Sequence, residues 1–275
     1  MMWRDAVGTQ HQRAQGRARI VSLVPSITEL VCELGLAEQL VGRTGFCVHP
    51  REILKAVPKV GGTKDVDLAK VRALAPTHVL LNIDENDEPT AAALARFVPH
   101  LIVTHPLGPM DNPALFRLIG GVFGVERMAE ALCAQFLKAH DALSRAARAW
   151  PRERVLYLIW KDPWMSVSRD TYISRTLALA GWDTVPVSAP ARYPKVELDE
   201  TLLRDAERIL LSSEPYRFRA RHVAELRALP FMRGKTVALI DGEMTSWYGN
   251  RAIAGMDYLR RFREEINVNI GSARS

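Results

Sequence analysis

From Ile20 onward, short apolar runs alternate with stretches of helical period, the pattern of β-α units around a parallel sheet. The run IVSLV (20–24) predicts a strand that Pro25 and Ser26 interrupt. ITELVCELG (27–35) then places Ile27, Leu30, Val31 and Leu34 on one helical face. The next unit runs from the helix DLAKVRALA (67–75) into the strand HVLL (78–81), and a helix over 90–97 leads to the strand HLIVT (100–104). After the loop 105–113, helical character extends to about Trp150, interrupted early by Gly120, Gly121 and Gly124. The stretch 125–149 holds no Gly or Pro, so as one helix it would span roughly 37 Å, enough to join two lobes.

Beyond Pro151 the alternation resumes. Strands are expected at 154–160, 207–212 and 236–241, and helices at 172–180, 197–205, 220–229 and 250–265. The segment 67–81 and the segment 199–212 are each an acid-led short helix feeding an apolar strand, which suggests that the halves are copies of one design. The expected architecture is α/β, two lobes with mainly parallel sheets joined by one long backbone helix. Residues 1–18 would be a disordered polar tail, 19–112 the first lobe, 113–150 the connecting helical segment and 151–275 the second lobe.

Composition narrows the function classes. Of 275 residues, 48% are hydrophobic and 25% charged, which excludes a disordered or collagen-like chain. No run of 18 apolar residues occurs, so the chain is not expected to be membrane-embedded. The formal charge of +6 is misleading, because Arg4, Arg13, Arg17 and Arg19 against Asp5 place +3 of it in the first 19 residues. The body is too nearly balanced for a nucleic-acid partner. Cys32, Cys47 and Cys133 are odd in number and read as reduced thiols. The opening residues are polar and lack the apolar stretch of a secretory signal, so the chain as written is expected in the cytoplasm, as a monomer.

The segments VSLVPSITELVCELGL (21–36), VGRTGFCVHP (41–50), VPKVGGTKDVDLAKVRALAPTHVLL (57–81) and the joining helix together resemble the helical-backbone (class III) substrate-binding proteins of ABC importers. These are receptors for cobalamin, siderophores and haem, and the opening and GRTGFCVHP segments are most similar to the cobalamin branch. The resemblance implies a rigid two-lobed receptor that holds a corrinoid or related metal chelate in the interlobe cleft, with no required cofactor and an ABC permease as partner. Family members are usually periplasmic or lipid-anchored outside the membrane. Phe46 stands where the family has a ligand-contacting tyrosine and Tyr193 where it has a tryptophan; Thr63 and Asn82 stand where it has first-lobe tryptophans, which implies a pocket more polar on that side. Of the acids that dock the permease, the second-lobe position falls at Asp199; the first-lobe position falls at Ala69, with Asp67 two residues earlier.

An open α/β sheet offers its crevice at the C-terminal strand ends, where helix N-termini supply free N-H donors. The first lobe would line it with Pro25 and Ser26, with Phe46, Cys47 and His49, with Gly62 and Thr63, and with Asn82, Asp84, Glu85 and His105. The second would contribute Trp160, Trp164, Tyr193, Trp247, Tyr248 and Arg251, whose large rings suit a macrocycle face. Cys47 and His49, two residues apart, are candidate ligands for a soft or borderline metal. The acids of NIDENDE (82–88) read either as a solvated turn before a helix or as receivers of a cationic or amide-bearing ligand. No Ser-His-Asp order, phosphate-cradling glycine loop or nucleophile elbow is present, so no enzyme is expected. The alternatives are a siderophore, haem or direct metal-ion binder and, from another class, a tetrapyrrole-processing or chelatase-like enzyme.

Overall fold

The computed structural model describes residues 2–187, 189, 191–232 and 234–272. Two compact units divide the chain. Unit 1 holds Met1–Pro106, Met110–Phe136 and Tyr248–Arg251; unit 2 holds Leu107–Pro109, Leu137–Trp247 and Ala252–Ser275. The 22-residue helix Glu126–Ala147 runs across the boundary at Phe136. Among the described residues no helix is long and apolar enough to cross a membrane.

Unit 1 begins with an antiparallel hairpin, β1 (Trp3–Arg4) and β2 (Gln10–His11). The strands β3 (Ile20–Ser22), β4 (Leu40–Arg43), β5 (His78–Asn82) and β6 (His100–Thr104) form a parallel sheet in the order β4-β3-β5-β6. The expected disordered tail is thus corrected. Asp5 is buried and its carboxylate accepts from the amides of Val7 (3.1 Å), Thr9 (2.8 Å) and Val103 (3.1 Å), while the Ala6 amide donates to the Val103 carbonyl. The Trp3 ring fills the space that a side chain at position 121 would need, since a Cβ on Gly121 would lie 2.0 Å from it. A polar segment is held here by one buried acceptor and one aromatic ring, which a search for apolar runs passes over.

The helix expected from the loop to Trp150 is two helices, Asn112–Val122 and Glu126–Ala147. The chain turns between them at Gly124, whose φ of +72° suits glycine. Strands β4 and β8 (Trp182–Val185) were not expected. Both are edge strands, and in β4 the pair Gly42 and Arg43 breaks the alternation. Gly42 is required by crowding against Leu74 and Val21, and the buried Arg43 guanidinium donates to the carbonyls of Leu54 and Thr44.

Unit 2 carries β7 (Glu153–Leu158), β8, β9 (Arg208–Ser212) and β10 (Thr236–Ile240) in a parallel sheet of order β10-β9-β7-β8. Taken in chain order, each sheet runs second, first, third, fourth strand, so the repeated design seen in the sequence extends to topology. Its core packs Leu156, Leu158, Ile209 and Leu211 against Leu203, Phe218 and Leu226. At the N-terminal end of β7, Glu153 accepts from Arg208 at 3.0 Å and pairs with Arg263 at 2.7 Å, and Arg263 also covers the Trp182 ring. Burial alone would raise the Glu153 carboxyl, but the two guanidiniums outweigh it and hold it below its ordinary value.

Candidate functional site

In unit 1 the chain passes from β3 to β4 on one side of the sheet and later enters β5 on the other, so the order reverses between β3 and β5. The C-terminal ends of those strands are where an open α/β sheet generally offers a crevice. Asn86 ties them together. It is buried, its amide nitrogen donates to the carbonyls of Thr63 (2.9 Å) and Leu23 (3.4 Å), and its Oδ1 accepts from the Asn82 amide (2.9 Å). Asn82 is buried too and accepts from the Asp84 amide at 2.8 Å, so it shapes the turn that presents Asp84 and Glu85.

Around this frame the side chains separate into an exposed apolar set and an engaged polar set. Phe46 is 64% exposed, Val48 48% and Ile83 44%. The Phe46 ring approaches the backbone at Gly62, where an added Cβ would lie 3.3 Å from it. His105 Nε2 lies 3.4 Å from Asp84 Oδ1, and Lys64 donates to the Asp84 carbonyl. Tyr248 and Arg251, expected in the second lobe, belong to unit 1. The Tyr248 hydroxyl donates to Glu85 at 2.6 Å; burial, then the Glu85 carboxylate, push its pKa well above the ordinary value. Arg251 grips both oxygens of Glu29, at 2.7 and 2.8 Å. Pro25 opens the helix Pro25–Glu33, with Ser26 buried in its first turn.

Cys47 requires a correction. Its thiol is buried, accepts from the Thr28 hydroxyl at 3.0 Å and lies 3.1 Å from that of Thr44. Burial pushes its pKa up despite these hydrogen bonds, so the loop does not present a thiolate beside the half-buried His49. Among the described residues no group of three or more His, Cys, Asp or Glu side chains is placed to hold a metal ion.

In unit 2 the sheet order reverses between β7 and β9. Trp160 follows β7, is 40% exposed, and meets Tyr216 of the loop after β9 edge to face at 5.7 Å. Trp164 instead stacks parallel on Phe218 at 6.0 Å and packs on the core, with Lys161 over its ring. Trp247 is buried and donates to Glu214 at 2.7 Å, and burial raises that carboxyl above its ordinary value. Tyr193 is half-buried. Both acids expected to dock a permease are helix caps: Asp67 accepts from the Lys70 amide at 3.0 Å and Asp199 from the Leu202 amide at 2.8 Å.

Sequence reasoning missed Tyr216 and Glu214, and named Ile83 and Asn86 only as members of the loop 82–86 that lines the crevice. Ile83 had a signal, a lone apolar residue among acids, and Tyr216 and Phe218 alternate around Arg217 just past a strand. Asn86 had none, because its partners Leu23 and Thr63 are remote in sequence.

The family described as periplasmic binding protein matches residues 20–237. A vitamin B12-binding protein of Pectobacterium carotovorum subsp. carotovorum (strain PC1) is 23% identical over 199 residues, covering 72% of each chain. Among solved structures, the periplasmic vitamin B12 binding protein BtuF of Vibrio cholerae is similar with a TM-score of 0.77 at 15% identity, over 90% of this chain and 97% of that one. The periplasmic haem-binding protein RhuT from Roseiflexus sp. RS-1 is similar with a TM-score of 0.77 at 21% identity, over 91% and 99%. At these identities the structural likeness establishes the fold.

Proposed function

This chain belongs to the periplasmic binding protein family, and from that membership we propose that it is a non-catalytic receptor for a corrinoid of the cobalamin type or a related metal chelate. The observation that carries the reading is the exposure of two large aromatics, Phe46 and Trp160, in the loops that follow β4 and β7 at the C-terminal ends of the two parallel sheets. Burying an exposed ring against a macrocycle releases water from both faces, and a ring of that size contributes about 2 kcal/mol. Similarity to vitamin B12-binding proteins supports the corrinoid over other chelates. The polar edge around Asp84, His105 and Thr63 favours a ligand with amide or hydroxyl groups at its rim. Asp67 and Asp199, at the starts of their helices, are the groups offered to a permease.

Titration of the purified protein with cobalamin, cobinamide and haem, followed by Trp fluorescence, tests the reading. Saturable quenching by a corrinoid at micromolar concentration, with the ligand recovered unchanged, is expected. Quenching by haem alone would shift the ligand to an iron tetrapyrrole, silence with all three at tens of micromolar would overturn the ligand class, and turnover would overturn the non-catalytic reading.

A further inference from the structure

Unit 2 contains a cavity of about 610 Å³ at the C-terminal ends of β9 and β10, lined by Ser213, Arg217, Arg219, Leu239 and Asp241 among others. Arg217 and Arg219 are exposed, and neither has an ion-pair partner among the described residues. The acids near them are already engaged. Asp241 caps the helix Gly242–Ser246 by accepting from the Met244 amide, and Glu214 accepts from Ser246 and Trp247. Ser213 Oγ accepts from the Gly242 amide at 2.8 Å, which leaves its own proton to donate elsewhere.

The helix Ala220–Arg227 starts at the same cavity. The Arg219 amide is taken by His222 Nδ1 at 2.9 Å. The amides of Ala220 and Arg221 open the helix, where no intrahelical acceptor exists. Two arginines, a serine hydroxyl and the start of a helix therefore line one cavity together with the apolar residues Leu239, Ile240 and Phe218, of which Leu239 is 40% exposed. Guanidiniums match planar and tetrahedral oxyanions by paired hydrogen bonds, and the Asp241 carboxylate in the same lining disfavours a ligand that is anionic throughout.

We propose that this cavity binds a small organic molecule carrying one oxyanion head, a carboxylate or a phosphate, on an apolar body, with Arg217 and Arg219 on the head and Leu239 along the body. The site uses none of the residues assigned above to the chelate, so it stands or falls separately.

Calorimetric titration of the chelate-free full chain with phenyl phosphate, benzoate and inorganic phosphate tests it. Phenyl phosphate or benzoate should bind saturably below millimolar concentration, more tightly than inorganic phosphate, and whichever of the two binds tighter identifies the head group. Arg217→Gln and Arg219→Gln should each weaken binding about tenfold or more. Leu239→Ser should weaken the two aromatic ligands and leave inorganic phosphate unaffected. Both arginines are exposed, so the variants should melt with the parent chain. Absence of saturable binding for all three molecules, or binding that survives in the double arginine variant, would overturn the inference; corrinoid binding that persists alongside either result would leave the proposed function standing.

Discussion

The hydroxyl of Tyr248 donates to Oε1 of Glu85 across 163 residues of sequence, at 2.6 Å and inside unit 1. A short return of the chain, Tyr248–Arg251, thereby belongs with the first sheet, and Gly249 strengthens the attachment by donating to Asn112 Oδ1 at 2.7 Å. Tyr248→Phe removes a hydrogen bond to a carboxylate that is itself only partly exposed. It should destabilise the protein by about 2 kcal/mol in urea unfolding. An unchanged urea midpoint would show that the phenol is not holding the return in place.

The N-terminal hairpin is expected to be structural. Asp5→Ala strands His11 Nε2, 3.0 Å away, and the amides of Val7, Thr9 and Val103. Its expected cost is about 3 kcal/mol, the scale for breaking a buried polar pair. Hydrogen exchange at Val103 provides a local check, because its amide should lose protection in the variant before the rest of β6 does.

His78 predicts an acid sensitivity. Burial, with smaller contributions from His100 and His11, lowers its pKa to about 4. The unfolded imidazole takes a proton near its ordinary value while the folded one does not until about pH 4, so protons favour the unfolded chain over that window. Stability from this group is complete above about pH 6.5 and should fall by about 3 kcal/mol on going down to pH 4. Comparing urea midpoints of the parent and His78→Gln at pH 7.5, 5.5 and 4.5 isolates it: the gap between the two should change across this range, and parallel curves would refute the assignment.

At the base of β7, Glu153→Ala leaves the buried guanidiniums of Arg208 and Arg263 without their carboxylate. A loss of about 3 to 5 kcal/mol is expected by calorimetry. The folded carboxyl lies below its unfolded value, so its contribution is present above the ordinary carboxylate range and fades as pH falls through the folded value. The parent should therefore lose part of its advantage over the variant in acid.

Capping and docking separate at Asp67 and Asp199. Alanine at either position should lower the melting midpoint through the lost cap, whereas asparagine keeps the acceptor and should melt like the parent. If the carboxylates also meet a permease, the asparagine variants should bind it more weakly at full stability; equal binding would confine both acids to capping.

The alternation of apolar runs with helical faces was enough to place β3, β5, β6, β7, β9 and β10, because each carries an apolar run of the kind a parallel sheet needs. It also placed Trp160 and the acids of the 82–88 turn at strand ends, since that follows from where a strand stops, whereas Phe46 came only from the resemblance of the segment 41–50. Strands β4 and β8 escaped although β6 and β10, also at sheet edges, did not: in β4 a glycine and a buried arginine interrupt the apolar run, and in β8 Asp183 and Thr184 do. Only tertiary structure decided which candidates remain exposed. Cys47, Trp164, Trp247 and Arg251 look alike in sequence to Phe46 and Trp160, but their fate rests on partners such as Thr28, Phe218, Glu214 and Glu29, brought close by folding. The same holds for the hairpin: a polar segment becomes ordered when one carboxylate meets four donors, and no periodicity in the first eighteen residues encodes that meeting.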